Sequence, residues 1–235
     1  MHAQTGTGPG VLTPDGCAVD LYALLPPMGE PGVVHAAVPA GATILELGAG
    51  AGRVTGPLVA LGHPVVAVDE SPEMLARVRG AETVRASIQD LRLGRRFDAV
   101  LLGSFLVNVA DHGLRHRFLE ACRDHVDDGG CVLVQRDPPS WFDPAAEGER
   151  TLDGITFRLR DLRRPGPGLL AATVEYQVGD RLWTQSFTAE RLDDAALAAA
   201  LAEAGLALDA YLTGDGSWVR AVPVPRGRAL GRSPR

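Results

Sequence analysis

The chain has 235 residues, long enough for one large α/β core. A formal net charge of −6 argues against general nucleic-acid binding, and no apolar run reaches the ~18 residues of a membrane span. All 23 basic residues are arginine, which excludes a P-loop lysine, a Schiff base and a lysine general base. Cys17, Cys122 and Cys131 show no metal-ligand spacing and indicate reduced thiols, and the N-terminus carries no signal pattern. We therefore expect a cytoplasmic protein without a bound metal.

The first predicted strand, residues 43–47, leads into a loop with glycine at every second position from Gly48 to Gly52. A helix predicted over residues 53–61 follows. Glycine lets a backbone turn sharply or touch a ligand, and a helix N-terminus offers unpaired N–H groups to it. A second apolar strand, residues 65–68, ends at Asp69, where a carboxylate is placed to accept hydrogen bonds from ribose hydroxyls. The segment predicts a nucleoside or nucleotide cofactor.

The glycine spacing separates two kinds of cofactor. A dinucleotide loop has the pattern G-x-G-x-x-G, whereas here the third glycine comes one place early. Glu46 also puts a carboxylate beside the loop, which would repel a pyrophosphate and suits an ammonium or a sulfonium ion. A nicotinamide-dependent oxidoreductase is thus the disfavoured alternative, since no obvious Tyr-x-x-x-Lys pair is present either. A glycine-rich turn in some other α/β protein is a second alternative.

Strands and helices continue to alternate along the chain. Further strands are predicted at residues 83–86, 97–102 and 131–135. Ser71 and Asp111 stand where helix N-caps belong, before helices predicted to end near Arg79 and Val126. Residues 127–130 predict a turn. This alternation is typical of a parallel, doubly wound sheet that binds ligands at the carboxyl ends of its strands.

Beyond the fifth strand the pattern changes. Residues 137–154 are rich in proline and acidic residues and predict a loop. Strand-like runs at residues 155–161, 169–178 and 181–187, separated by Gly- and Pro-containing turns, then predict an antiparallel meander. An Ala-rich helix over residues 191–204 and strands over 206–212 and 217–222 follow. Residues 1–10 and 223–235 are predicted to be a flexible tail and a basic disordered tail, which leaves 11–222 as the domain.

Glu46, Gly48, Gly50 and Gly52 resemble motif I of the class I S-adenosylmethionine-dependent methyltransferases, and Asp69 matches the family's ribose-binding acid. The resemblance covers roughly residues 11–222. Residues 21–27 and 132–142 look most like actinobacterial enzymes that methylate natural products or small metabolites.

The resemblance implies an α/β fold with a doubly wound, mostly parallel, seven-stranded Rossmann-like sheet and helices on both faces. An inserted antiparallel three-stranded meander over residues 155–188 would roof the acceptor site or form a homodimer contact. The implied cofactor is S-adenosyl-L-methionine, with S-adenosyl-L-homocysteine as product, and the implied partner is a small-molecule acceptor. A non-catalytic S-adenosylmethionine-binding protein stays open as an alternative.

The implied cofactor site combines the glycine loop with the tips of the next three strands. Its predicted members are Glu46, Gly48, Ala49, Gly50, Gly52, Arg53, Asp69, Glu70, Ser87, Ile88 and Ser104. One departure stands out: Ser87 falls where many relatives carry an acidic residue that contacts the adenine amino group. A serine hydroxyl can still bond adenine, and Ile88 can pack on the ring.

Methyl transfer from a sulfonium is an in-line displacement, so most of the catalysis is positioning and exclusion of water. A base is needed only when the nucleophile must lose a proton. The candidates are Asp137 after the fifth strand, His112 in the helix after the fourth, and Tyr22 in the N-terminal segment. Each has an alternative role, as a loop-capping aspartate, a surface histidine or a core tyrosine.

The predicted acceptor site gathers most of its members from the aromatic residues near the strand tips. They are Phe105, Asn108, Trp141, Phe142, Tyr176 and Trp183. Aromatic walls favour a flat, apolar or cationic acceptor such as an indole or an amine. The alternative is that Tyr176 and Trp183 merely pack the meander onto the sheet.

Overall fold

The computed structural model describes residues 4–225, and these form two sheets flanked by helices. The strands are β1 (Thr5–Thr7), β2 (Ile44–Leu47), β3 (Val65–Asp69), β4 (Glu82–Arg85), β5 (Phe97–Leu102), β6 (Val126–Gln135), β7 (Gly148–Leu152), β8 (Ile155–Arg163), β9 (Leu169–Val178), β10 (Arg181–Glu190), β11 (Leu206–Tyr211) and β12 (Trp218–Pro223). The helices are α1 (Val19–Tyr22), α2 (Glu30–Ala37), α3 (Thr55–Ala60), α4 (Pro72–Leu75), α5 (His112–His125), α6 (Pro139–Phe142) and α7 (Asp194–Glu203).

The larger sheet has seven strands in the order β11-β12-β6-β5-β2-β3-β4. Its strands from β6 to β4 are parallel, and β12 and β11 join antiparallel. Apolar side chains of α5 and α7 pack on one face, and those of α2 and α3 pack on the other. Because these five strands are parallel, their carboxyl ends lie along one edge of the sheet. Strand β2 lies between β3 and β5, so the strand order reverses there, as the predicted doubly wound fold requires.

The smaller sheet is antiparallel, with the order β1-β10-β9-β8-β7. The predicted three-stranded meander is confirmed as β8, β9 and β10, and β1 and β7, which were not predicted, extend the sheet to five strands. Strand β7 lies inside the predicted loop, and Asp153-Gly154 joins it to β8 with positive φ at both residues. That geometry is the two-residue hairpin turn for which Asp-Gly is a sequence signal. Strand β1 pairs with β10 and belongs to the stretch predicted as a flexible tail.

Several element ends also differ from the prediction. Residues 127–130, predicted as a turn, belong to β6. They form an irregularity in the pairing of β6 with β5, where the register shifts between Phe97 and Ala99. A Cβ on Gly130 would lie 2.6 Å from the Asp98 carbonyl oxygen, so glycine is needed there. The predicted caps are confirmed, because Ser71 Oγ accepts from the Met74 amide at 3.1 Å and Asp111 Oδ1 from the Leu114 amide at 2.9 Å.

The remaining boundary differences are shorter helices. Helix α3 begins at Thr55 rather than at residue 53, α4 ends at Leu75 rather than near Arg79, and α6 interrupts the predicted loop after β6. Most of the predicted basic tail, residues 226–235, lies outside the described residues. In the part of the chain that the structure describes, no helix combines the length and apolar character needed to cross a membrane.

Candidate functional site

The glycine loop follows β2 and needs its glycines for backbone conformation. Gly48, Gly50 and Gly52 have φ values of 71°, 55° and 86°, in the left-handed region that favours glycine. A Cβ on Gly48 would also lie 2.9 Å from the Leu106 side chain, so the loop is packed closely against the segment after β5. The glycine at every second position in the sequence therefore corresponds to the left-handed backbone conformation at these three residues.

Glu46 stands two residues before the loop, with its carboxylate buried under it. The Thr55 hydroxyl, at the start of α3, donates to Glu46 Oε2 at 2.6 Å. Burial raises the pKa of Glu46 to about 7, and this effect outweighs the opposing ones of the Thr55 hydrogen bond and the Arg53 charge. A buried acid with so high a pKa gains most from a cationic ligand, which restores its charged form.

Asp69 ends β3 and is fixed by two backbone amides. Its Oδ2 accepts from the Gly50 N–H at 2.8 Å, and its Oδ1 accepts from the Ser71 N–H at 2.9 Å. Burial raises the pKa of Asp69, while these hydrogen bonds oppose the rise. Each carboxylate oxygen keeps a further lone pair, so the group can still accept from ribose hydroxyls.

A cleft of about 350 Å³ opens beside Glu70, the residue that follows Asp69. Its lining residues are Pro14, Glu70, Arg85, Ala86 and Ser87. Glu70 and Ser87 were predicted members of the cofactor site. The Ser87 hydroxyl donates to Asp90 Oδ2 at 2.7 Å, a partner that the sequence analysis did not consider. Ile88 is buried, and its Cδ1 lies 3.7 Å from the place that a Cβ on Gly48 would occupy, so it packs against the glycine loop.

The segment after β5 is held in an unusual backbone conformation. Ser104 and Phe105 both have positive φ, at 53° and 58°, although neither is glycine. The Ser104 amide donates to Gln135 Oε1 at 2.8 Å. Consecutive left-handed residues are strained and often mark functional loops. Phe105 is 42% exposed in the segment that follows β5.

Asp137 is the candidate base that the structure favours. It follows β6 by two residues and is half-buried, and burial alone raises its pKa to about 7. Within residues 4–225, no donor or cation engages its carboxylate, whereas its backbone amide donates to Asn108 Oδ1 at 2.8 Å. An acid with a pKa near neutrality and an open carboxylate can accept a proton efficiently.

The other two candidate bases are less suited. The Tyr22 hydroxyl donates to Gln185 Oε1 at 2.8 Å, and burial raises its pKa well above the ordinary range, so the phenol keeps its proton. Its ring lies close to Gly50 and covers the glycine loop. His112 is exposed and its Nε2 pairs with Glu190, which also bonds Arg115. His112 therefore takes part in a surface hydrogen bond, with Nε2 at 3.1 Å from Glu190 Oε1.

Half of the predicted acceptor residues are buried in the protein. Phe142 is buried in an apolar cluster between α6 and the smaller sheet, and Trp183 is 1% exposed with its indole N–H donating to the Pro9 carbonyl at 2.8 Å. Asn108 is buried, with both ends of its side chain hydrogen-bonded. Phe105, Trp141 and Tyr176 remain at least partly exposed. The local sequence gives no sign that Phe142 and Trp183 are buried or that the Asn108 side chain is hydrogen-bonded at both ends.

Sequence reasoning also missed groups around Tyr22 and Arg53. The Gln185 amide donates to Cys17 Sγ at 3.0 Å, and burial raises the pKa of this thiol to about 12. Arg53 forms an ion pair with the buried Glu30 at the start of α2. This ion pair holds the N-terminal end of α2 against the glycine loop. Both contacts join residues that are distant in sequence, so no local pattern signals them.

Comparisons with known proteins agree with this geometry. A family described as a methyltransferase domain matches residues 44–130, which contain the glycine loop, Glu46 and Asp69. A ubiquinone biosynthesis O-methyltransferase from Nitrobacter winogradskyi is 32% identical over 110 residues. That alignment covers 43% of this chain and 41% of the relative, so the chain spans about two fifths of the curated protein it matches.

Solved structures share the fold over most of the chain. An S-adenosylmethionine-dependent methyltransferase from Clostridium acetobutylicum superposes with a TM-score of 0.70 at 14% identity, covering 87% of this chain and 95% of that one. An amino pentose methyltransferase from Micromonospora echinaspora, solved with S-adenosylmethionine bound, gives 0.67 at 21% identity, covering 89% and 93%. These structures confirm the predicted fold class, and residues 44–130 carry the predicted resemblance to a methyltransferase domain.

Proposed function

Starting from a chain whose residues 44–130 match the methyltransferase-domain family, we propose that the protein transfers a methyl group from S-adenosylmethionine to a small-molecule acceptor. The observation that carries this proposal is the pair of acids, Glu46 and Asp69, on either side of a left-handed glycine loop. When bound, S-adenosylmethionine supplies a methyl group that is already activated by a sulfonium charge. The relatives' own cofactor supports the same choice.

The residues present fit such a cofactor along its whole length. Glu46 would hold the amino-acid end through its carboxylate, and Asp69 would accept from the ribose hydroxyls. The cleft beside Ser87 and Ile88 would take the adenine. Tyr22 covers the glycine loop and would exclude water from it.

The same residues disfavour a dinucleotide. A pyrophosphate needs the free N–H groups of a helix N-terminus and no negative charge nearby. In this chain the first residue of α3, Thr55, turns its hydroxyl to the buried Glu46 carboxylate. A nicotinamide-dependent oxidoreductase is therefore the weaker alternative.

On the acceptor side we propose methylation of a nitrogen or an electron-rich carbon, in a molecule of secondary metabolism. The half-buried carboxylate of Asp137 would accept the proton that leaves the nucleophile. The exposed ring of Phe105 and the half-buried Trp141 and Tyr176 would hold a flat or cationic group by stacking or cation–π contact. An amine or an indole fits both features. The cytoplasmic location, the homodimer and the absence of nucleic-acid partners stay predictions.

Calorimetry tests the cofactor. S-adenosylmethionine or S-adenosylhomocysteine should bind with micromolar affinity, roughly −8 kcal/mol, and NAD or NADP should not. Tight NAD binding would overturn the proposal. For turnover, a panel of amino sugars, indoles and phenols is incubated with S-adenosylmethionine, and methylated product is sought by mass spectrometry. Binding without product across the panel would favour a non-catalytic role.

A further inference from the structure

Asn108, the only asparagine in the chain, joins two distant parts of the molecule. It is 1% exposed and ends the short 3₁₀ turn Leu106–Asn108 after β5. Its Nδ2 donates to the Glu190 carbonyl at the end of β10, at 2.8 Å. Its Oδ1 accepts from the Asp137 amide, also at 2.8 Å. One side chain thus links the smaller sheet to the tip of β6.

The neighbouring backbone is tied down from several sides. Arg136, which precedes Asp137, is almost fully buried, and its guanidinium donates to the carbonyls of Gly216 at 2.7 Å and Leu192 at 2.9 Å. Val109 bridges to Ala189 in β10. The main chain of Asp137 is therefore rigid, while its carboxylate has no partner of its own in the described part of the chain.

We propose that Asn108 is a positioning residue, which through the Asp137 amide fixes the main chain from which the Asp137 carboxylate projects, relative to the end of β10. The proposal rests on the proposed function, in which Asp137 accepts the acceptor's proton. Asparagine suits the task because its amide carries a donor and an acceptor at opposite ends. Aspartate can accept from the Asp137 amide but cannot donate to Glu190, and alanine can do neither.

A purely structural asparagine would leave the proton affinity of Asp137 unchanged, whereas a positioning residue would not. Asn108→Ala opens space for water beside Asp137, which reduces desolvation and should lower the pKa of Asp137. Asn108→Asp keeps the side chain's shape but adds a negative charge nearby, which should raise that pKa. Two substitutions at one position should thus shift the same group in opposite directions.

The experiment is a carbon-13 NMR titration of the full chain labelled at the aspartate carboxyl carbon, without cofactor or acceptor. Asp137→Asn assigns the resonance, whose midpoint in the unmodified protein should lie at about 7. We expect the midpoint to fall by ~1 pH unit or more in Asn108→Ala and to rise by a similar amount in Asn108→Asp. Because no methyl transfer is measured, the result is independent of whether the proposed function holds.

Arg115→Met is the matched control. Arg115 is buried at the same junction, donates to the Val107 carbonyl at 2.8 Å and pairs with Glu190, but it does not contact Asp137. It should leave the Asp137 midpoint in place. The proposal is overturned if Asn108→Ala titrates like the unmodified protein, or if Arg115→Met shifts the midpoint as far as Asn108→Ala does. Should Asn108→Ala fail to fold, the neutral Asn108→Ser takes its place, because the added charge in Asn108→Asp shifts the midpoint whatever the role of Asn108.

Discussion

Carboxylates on the two sides of the proposed active-site cleft are held in opposite ways. On the proposed cofactor side, Glu46 accepts from the Thr55 hydroxyl and Asp69 accepts from two backbone amides. On the proposed acceptor side, the main chain of Asp137 is anchored while its carboxylate lacks any protein partner among residues 4–225. The first arrangement would fix acids for a ligand of constant shape. The second leaves one acid unsatisfied, and in the proposed function the acceptor would supply its partner.

An unpaired, half-buried carboxylate is costly, and a fold keeps it only where the surroundings are rigid. Arg136 and Asn108 supply that rigidity through carbonyl and amide contacts that leave the Asp137 side chain free. Uptake of a proton by the Asp137 carboxylate, or pairing with an ammonium group of a ligand, would remove the desolvation penalty of this unpaired charge. The penalty therefore favours both events. Substitutions on each side of the cleft should therefore have different consequences.

The largest effect should follow substitution on the acceptor side. Asp137→Asn keeps the shape of the side chain and removes its basicity, so turnover should fall by ~10²–10⁴ while S-adenosylmethionine still binds normally. Release of S-adenosylhomocysteine with an acceptor identified from the panel measures the rate. Asp143→Asn is a matched control, because Asp143 lies on the same segment as Asp137 but its carboxylate pairs with Arg191. Near-full activity of Asp137→Asn would mean that solvent takes the proton and positioning suffices.

On the cofactor side, Asp69→Ala should weaken binding without abolishing the fold. A net loss equal to one hydrogen bond to a charged group costs about 1.5–3 kcal/mol, so affinity for S-adenosylhomocysteine should fall roughly ten- to a hundredfold by calorimetry. Part of the loss reflects the freed Gly50 amide, which Asp69 holds at 2.8 Å. Asp69→Asn retains one acceptor oxygen and should lose less. An unchanged affinity in Asp69→Ala would show that β3 does not end at the ribose.

Glu46→Gln tests whether charge matters at the other cofactor acid. Affinity for S-adenosylmethionine should fall by about tenfold, since the amide can no longer pair with an ammonium group. Methylthioadenosine lacks the amino-acid end and should bind both proteins alike, which makes it the matched ligand control. In the unmodified protein, affinity should also fall as the pH drops below about 7, because Glu46 then takes up a proton. A pH dependence that persists in Glu46→Gln would assign it to another group.

Sequence predicts the cofactor side better than the acceptor side for a physical reason. The glycine loop, the cap Ser71 and the strand end at Asp69 each depend on backbone conformation within a few residues, and local sequence encodes it. By contrast, β1 owes its existence to pairing between Thr5 and Ser186, which no local pattern can show. Strand β7 has no alternation of apolar and polar residues, so its sequence does not predict a strand. The Asp153-Gly154 pair that follows it is a sequence signal for a hairpin turn.

Residue roles at the acceptor side depend on tertiary packing. Trp183 and Phe142 are aromatic residues near the strand tips, which is all that sequence can say of them. Their burial results from contacts with Pro9 and with β9, far away in the chain. Asn108 is similar, because its two hydrogen-bond partners lie at residues 137 and 190. Sequence can thus name candidate residues, but their exposure decides whether they meet a ligand.

The last effect concerns stability, and it tests the unpaired state of Asp137 without any ligand. The carboxyl has an ordinary pKa of 3.8 and a folded-state pKa of about 7. Below pH ~4 both states are protonated, so the group contributes nothing. As the pH rises from ~4 to ~7, the unfolded chain ionises first, and the free energy of unfolding falls. Above that range the penalty is complete.

Asp137→Asn removes this penalty. The variant should match the unmodified protein near pH 4 and exceed its free energy of unfolding at pH 8 by on the order of 2 kcal/mol, after discounting for solvent screening. Urea denaturation at the two pH values measures the difference, and the contribution of Glu46 cancels because both proteins contain it. A variant that is less stable at pH 8 would reveal a stabilising partner for the Asp137 carboxylate. In that case the two sides of the cleft would hold their acids alike, and the acceptor would not be needed to complete the site.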